Sequence, residues 1–216
     1  MKIYPFRGAA AVLIVCSLVS GCSSQKAANK PAETTAVAPS GQGSMAGMSA
    51  MSAPVTIPKG VLYTAADVHF MQGMIAHHAQ AIYMSKMAAS RQANPRVLKF
   101  ANKIDQSQAA EIKLMQDWLR ANKQVVPDTS SWRTTMMPGM LTAEQLKTLD
   151  AAKGTEFDKQ FLNLMIQHHN GALKMVADLL AAPLAAQDED VSVFANDVVT
   201  VQTAEIGVMQ KLLANL

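Results

Sequence analysis

The stretch TAADVHFMQGMIAHHAQAIYMSKMA, residues 64–88, decides the architecture, because the chain states it twice. Shifted by 91 positions it falls on TEFDKQFLNLMIQHHNGALKMVADL, residues 155–179, with nine of 25 positions identical. These are Thr64, Asp67, Phe70, Met74, Ile75, His77, His78, Ala81 and Met84 with their counterparts. A second match follows at a shift of 94. There VLKFANKIDQSQAAEIKLMQDWL, residues 97–119, meets VSVFANDVVTVQTAEIGVMQKLL, residues 191–213, with 11 of 23 identical. Unrelated segments rarely agree so well. The chain is an internal duplication, with three extra loop residues in its second copy.

Each copy reads as two helices. Apolar residues recur at i, i+3, i+4 and i+7 in all four segments, the period of an amphipathic helix. Thr64 and Thr155 stand where N-caps belong, with Asp67 and Asp158 three residues on, as in a capping box. Asn94 and Pro95 supply an N-cap followed by proline at the first helical position. A turn-rich linker, VPDTSSWRTTMMPGM, separates the copies, and a short helix is expected from Thr142. Four helices of roughly 25 residues with a longer middle connection predict an all-α fold, a four-helix bundle of two duplicated helical hairpins. The expected domain is 59–216, with a first hairpin at 59–122, the linker at 123–154 and a second hairpin at 155–216.

The N-terminus reads as an address. Lys2 and Arg7 precede an apolar run, Gly8 to Val19, too short to span a bilayer as a permanent helix. The run ends in LVSGC, a lipobox pattern, so residues 1–21 are expected to be a lipoprotein signal peptide and Cys22 the lipidated first residue. Residues 22–58 are rich in Ala, Ser, Gly and Pro and read as a flexible tether. The 36 residues from Ser23 to Pro58 would span about 30–35 Å. This places the chain at a bacterial envelope, lipid-anchored and extracytoplasmic.

The two cysteines, Cys16 and Cys22, fall in the leader and at the lipidation site, so the folded part has no thiol. Without Lys2 and Arg7, 17 basic residues face 16 acidic ones, and no basic run with interleaved aromatics remains. Nucleic acid is not an expected partner. The unusual feature is 15 methionines beside two tryptophans.

With Asp67 at zero and about 100° per residue, Met71, Met74 and His78 fall on the apolar face and His77 on its flank, near about 280°. Met84 and Met175 are expected at the edge, and His69 outward. The second copy repeats the pattern with Met165, His168 and His169, while Glu111 and Glu205 lie on core-directed sides of their helices. Buried imidazoles and carboxylates need partners. Four histidines and two glutamates in one bundle interior point to a metal site, and nearby thioethers favour a soft ion, Cu(I) or Ag(I). The bland alternative is that His and Glu are polar struts and Met is packing. Weaker candidates lie outside the helices: Met45, Met48 and Met51 in the tether, and Met136, Met137 and Met140 in the linker.

FMQGMIAHHAQAIYM and FLNLMIQHHNGALKM, each followed by a helix with a Glu-Ile-x-x-Met-Gln segment, resemble the domain of unknown function 305 family, DUF305. The resemblance implies a ferritin-like bundle exported to the envelope, in a family some of whose members are methionine-rich and handle copper. By position His77, His78, His168 and His169 match the family motif, with Met71, Met74 and Met165 beside them. Di-iron relatives use Glu-x-x-His on two helices, a spacing this chain lacks, which argues against oxidase chemistry.

The expected function is that of an envelope-anchored lipoprotein that sequesters or delivers copper, as Cu(I) or Cu(II), with silver as an alternative cargo. Imidazole must be neutral to ligate, so binding should weaken below about pH 6.5. Two other readings stay open: a two-metal ferritin-like oxidoreductase using Glu111 and Glu205, and a metal-free module that binds an envelope protein or a second copy.

Overall fold

A computed structural model describes residues 55–216. The expected signal peptide, Cys22, and tether residues Met45, Met48 and Met51 lie outside the described residues. Regular structure among those described is helical throughout. Four long helices are α1 (Ala65–Ser90), α2 (Pro95–Ala121), α4 (Gly154–Ala181) and α5 (Glu189–Leu213). Between them lie a 3₁₀ turn, Thr129–Arg133, and a short helix, α3 (Ala143–Ala151). No helix among the described residues is long and apolar enough to cross a membrane.

Helix α1 packs along α2, and α4 along α5, so each copy is a hairpin; α1 against α4 joins the two. The outer helices α2 and α5 touch only slightly. Polar ties fix this arrangement. Thr64 and Asp67 form a reciprocal capping box at the start of α1, with the Thr64 amide donating to Asp67 Oδ2 at 2.7 Å. The other Asp67 oxygen accepts from the Ala186 amide, 2.7 Å away in the α4–α5 loop. Its duplicate Asp158 reaches the opposite loop and accepts from the Asn94 amide at 3.1 Å. Each hairpin thus holds the turn of the other through one aspartate, and α1 and α4 run antiparallel.

Three expectations change. Thr155 is not an N-cap: α4 starts one residue earlier at Gly154, whose φ of +57° suits glycine, after Lys153, which makes no side-chain cap. The Gly154 amide donates instead to the Arg91 carbonyl at 2.8 Å. Met84 and Met175 are not edge residues but wholly buried, and His69 is half-buried. For Met84 and His69 the cause is that α1 is enclosed on nearly all sides, by α2, by α4 and by the linker.

The linker is therefore structural. Trp132 stacks near Tyr83 of α1, with centroids 4.9 Å apart, and the Arg133 guanidinium lies 4.4 Å from the Trp132 ring centre. Beyond it, Gln80 of α1 clamps Leu141 from both sides, accepting from its amide at 2.8 Å and donating to its carbonyl at 3.0 Å. Gln167 of α4 donates to the Gly139 carbonyl at 3.2 Å. Gly171 lets the backbones meet: a Cβ there would stand 1.9 Å from the Pro138 carbonyl oxygen. Gln80 and Gly171 are equivalents at the shift of 91, so the loop lies across the seam between the two copies.

Candidate metal centre

Helical spacing brings all four paired histidines inside, and His77, His78, His168 and His169 each show no exposed surface. His78 is a core-face residue of α1 as its register requires. His77, on the flank, is buried because the linker covers it. Its Nε2 donates to the Pro138 carbonyl at 3.0 Å. His78 Nε2 meets Glu111 Oε2 at 2.6 Å, and His169 Nε2 meets Glu205 Oε2 at 2.8 Å. The duplicated residues thus form duplicated pairs. His77 and His168 lie ring against ring across the α1–α4 seam, with centroids 3.9 Å apart and planes inclined by 41°.

The partners assign the tautomers. A carbonyl or carboxylate oxygen can only accept, so the Nε2 atoms of His77, His78 and His169 carry the protons. The Nδ1 atoms of the three have no hydrogen-bond partner, and on His77, which burial keeps neutral, Nδ1 presents a bare lone pair. On His168 neither ring nitrogen has one. An unsatisfied buried polar group costs about 1–3 kcal/mol. Orienting imidazole through an acceptor on its far nitrogen is how metal-binding histidines are held.

Electrostatics keep the central pair neutral. Burial, with repulsion from His78 next, lowers His77 to about 3, although its bond to the Pro138 carbonyl pulls the other way. Burial also sets His168 well below the ordinary value, followed by the charges of His77, His169 and His78, although the nearby His77 backbone pulls the other way without reaching hydrogen-bond geometry. The acid limit on ligation by these two rings therefore lies below the unperturbed value near 6.5 expected from sequence. For Glu205 burial acts to raise the carboxyl, but the hydrogen bond and charge of His169 and then Lys103 hold it below its usual value.

The bundle interior is also rich in methionine. Met71, Met74 and Met165 are fully buried, as are Met84, Met115 and Met209. In the linker Met137 and Met140 are buried in the same apolar cluster as Met71 and Met74, while Met136 is 54% exposed. Met137 and Met140 flank Pro138, the residue that holds His77. Among the described residues no three His, Cys, Asp or Glu side chains gather as a metal cage. The potential donors buried in the interior are imidazole nitrogen and thioether sulfur, types that suit soft ions.

Sequence reading missed Gln108 and Gln202, both 2% exposed and one turn before Glu111 and Glu205. Gln202 has no partner on either amide atom, and Gln108 has none on its oxygen. Their identity at the shift of 94 was the available signal. It also missed Gln80, whose role depends on a contact 61 residues away.

The family model described as "Domain of unknown function (DUF305)" matches residues 67–213. A DUF305 fragment from Deinococcus radiodurans is similar at 30% identity and TM-score 0.63, over 71% of this chain and 99% of that one. A DUF305 protein from Streptomyces coelicolor, described as secreted, is similar at 29% identity and TM-score 0.62, over 69% and 93%. CopM in its Cu(II)-bound form is similar at 28% identity and TM-score 0.56, over 69% and 96%; CopM structures with Cu(I) and with silver also match. No curated protein matches the chain.

Proposed function

Because this chain belongs to the DUF305 family, we propose that it is an envelope-anchored lipoprotein that binds copper, or silver, and sequesters it or passes it on. One observation carries the reading: three buried histidines are held through Nε2 by oxygen acceptors, leaving their Nδ1 atoms unpartnered, beside His168 with neither ring nitrogen hydrogen-bonded. A bundle needing only polar struts has no use for these bare nitrogens. In this reading the His77–His168 pair holds the ion, with thioethers of the methionine-lined interior completing its shell. Glu111, Glu205 and the Pro138 carbonyl orient the rings, and the 136–140 loop carries methionine from the surface, at Met136, to the core. Met45, Met48 and Met51 gather the soft ion on the tether, which the lipid on Cys22 fixes to the membrane. The copper- and silver-bound forms of CopM support the choice of cargo, and the secreted relative supports the compartment.

Calorimetric titration with Cu(I), Cu(II) and Ag(I) tests the reading. Cu(I) or Ag(I) should bind, and replacing His77, His78, His168 and His169 with alanine should abolish core binding in a protein that still folds. Unchanged binding in that folded variant would refute the core site. The hydrogen-bonded His78–Glu111 and His169–Glu205 pairs favour a second reading, a metal-free bundle that binds an envelope protein. Absence of any copper- or silver-induced thermal shift would favour it.

A further inference from the structure

Duplication makes two His–Glu pairs, yet their surroundings differ in charge and access. The Glu205 side chain is 2% exposed, and Lys103 of α2 stands 3.3 Å from its Oε1, within ion-pair range though without hydrogen-bond geometry. The Glu111 side chain is 25% exposed, and among the described residues no lysine or arginine pairs with it. At the shift of 94, the residue equivalent to Lys103 is Asp197. The charge has been reversed at the position that covers the second pair.

Asp197 lines a groove of about 680 Å³ between α2 and α5, the two helices that barely touch. Its α2 wall includes Ala110 and Leu114, the first adjacent in sequence to Glu111 and the second three residues beyond it, while Glu111 itself does not line it. Phe194 lines it too, and its ring centre lies 6.3 Å from that of His78. Asp117, Glu189 and Asp190 add carboxylates against one ammonium, Lys113, which pairs with Asp117. Such a cleft concentrates cations and speeds their arrival. Beyond Phe194 lies His78, wholly buried with Nδ1 unpartnered.

Resting on the metal-binding reading above, we propose that the two halves are unequal: the soft cation is exchanged through the α2–α5 groove past Glu111 and His78, while Lys103 closes the route past Glu205 and His169. Glu111, reachable from water, can release His78 and meet the ion. Glu205 is held by an ammonium that repels a cation. Lys103 and Asp197 are the gate residues, and neither is a ligand.

The test uses the full chain loaded with Cu(I), with transfer to a colorimetric Cu(I) chelator followed by stopped flow. Both gate residues are exposed, so their variants keep the core intact. Asp197→Lys should slow transfer about tenfold or more, and added salt should narrow the difference. Lys103→Ala should add a second, faster component as the closed half opens. A transfer rate in Asp197→Lys equal to wild type, with binding retained, overturns the gate whatever Lys103→Ala does. A wild-type chain that binds neither copper nor silver overturns the metal-binding reading together with this one.

Discussion

His77 and His168 occupy equivalent places in the duplication and meet ring against ring, centroids 3.9 Å apart, with neither ring exposed. Two imidazoles facing at that distance while protonated would repel strongly, and burial already disfavours charge on either. The pair is stable as neutral rings. That same state leaves nitrogen lone pairs for a metal ion, so metal competence and low basicity have one origin.

Unpartnered ring nitrogens in the central pair cost the protein stability. His168→Leu removes two unpartnered buried nitrogens and should stabilise the metal-free protein by about 1–3 kcal/mol. It should also weaken Cu(I) or Ag(I) binding at least tenfold. Urea unfolding and calorimetry on one preparation check both, and a destabilised variant with intact affinity would contradict the assignment.

Acid should unfold the metal-free protein earlier than its carboxylates alone require. His77 titrates near 3 when folded and near 6.5 when unfolded, so the unfolded chain binds more protons between those values. Stability contributed by His77 is complete above about pH 6.5 and is lost as pH falls toward 3, a loss of up to a few kcal/mol. His168 shifts in the same direction and adds to it. Thermal melts from pH 7 to 4 should fall more steeply in wild type than in His77→Leu/His168→Leu; parallel curves would remove the effect.

The loop over the seam depends on one missing side chain. Gly171→Ala sets a methyl group against the Pro138 carbonyl, with Gly139 close behind. Overpacking of this kind costs about 1–3 kcal/mol. The loop should lift from His77, so affinity for Cu(I) should fall with stability. A variant with wild-type melting temperature and affinity would show that the contact relaxes freely.

The crossed aspartates should behave as a matched pair. Asp67→Ala loses the capping box and the tie to Ala186, and Asp158→Ala loses the tie to Asn94. Each should cost about 1–2 kcal/mol, with Asp67 the larger because it also caps its own helix. Denaturant melts of the two single variants measure this. A larger loss for Asp158→Ala would reverse the order argued from the bonds.

Much of the site was legible because duplication prints it twice at helical spacing. Met74, His78, Met165, His169 and Glu205 were placed inside from register alone, whereas Glu111 is only half-buried, and the family follows from the same motifs. Thr155 misled because its copy of the capping pattern keeps the residues of Thr64 and Asp67 while the backbone enters α4 differently. Met84 and His69 misled for another reason. A helical wheel assumes one face meets solvent, whereas here the linker and the neighbouring helices enclose α1.

Sequence by itself determined the helical period, the duplication, the thiol-free donor set and the inward direction of the core histidines, because these depend on residues a few positions apart. Only tertiary structure decided which imidazoles meet, which oxygen holds each ring, and why Lys103 covers one glutamate while its twin stays open. Those contacts join residues dozens of positions apart, where packing of the two hairpins and the linker, rather than local spacing, sets the distance.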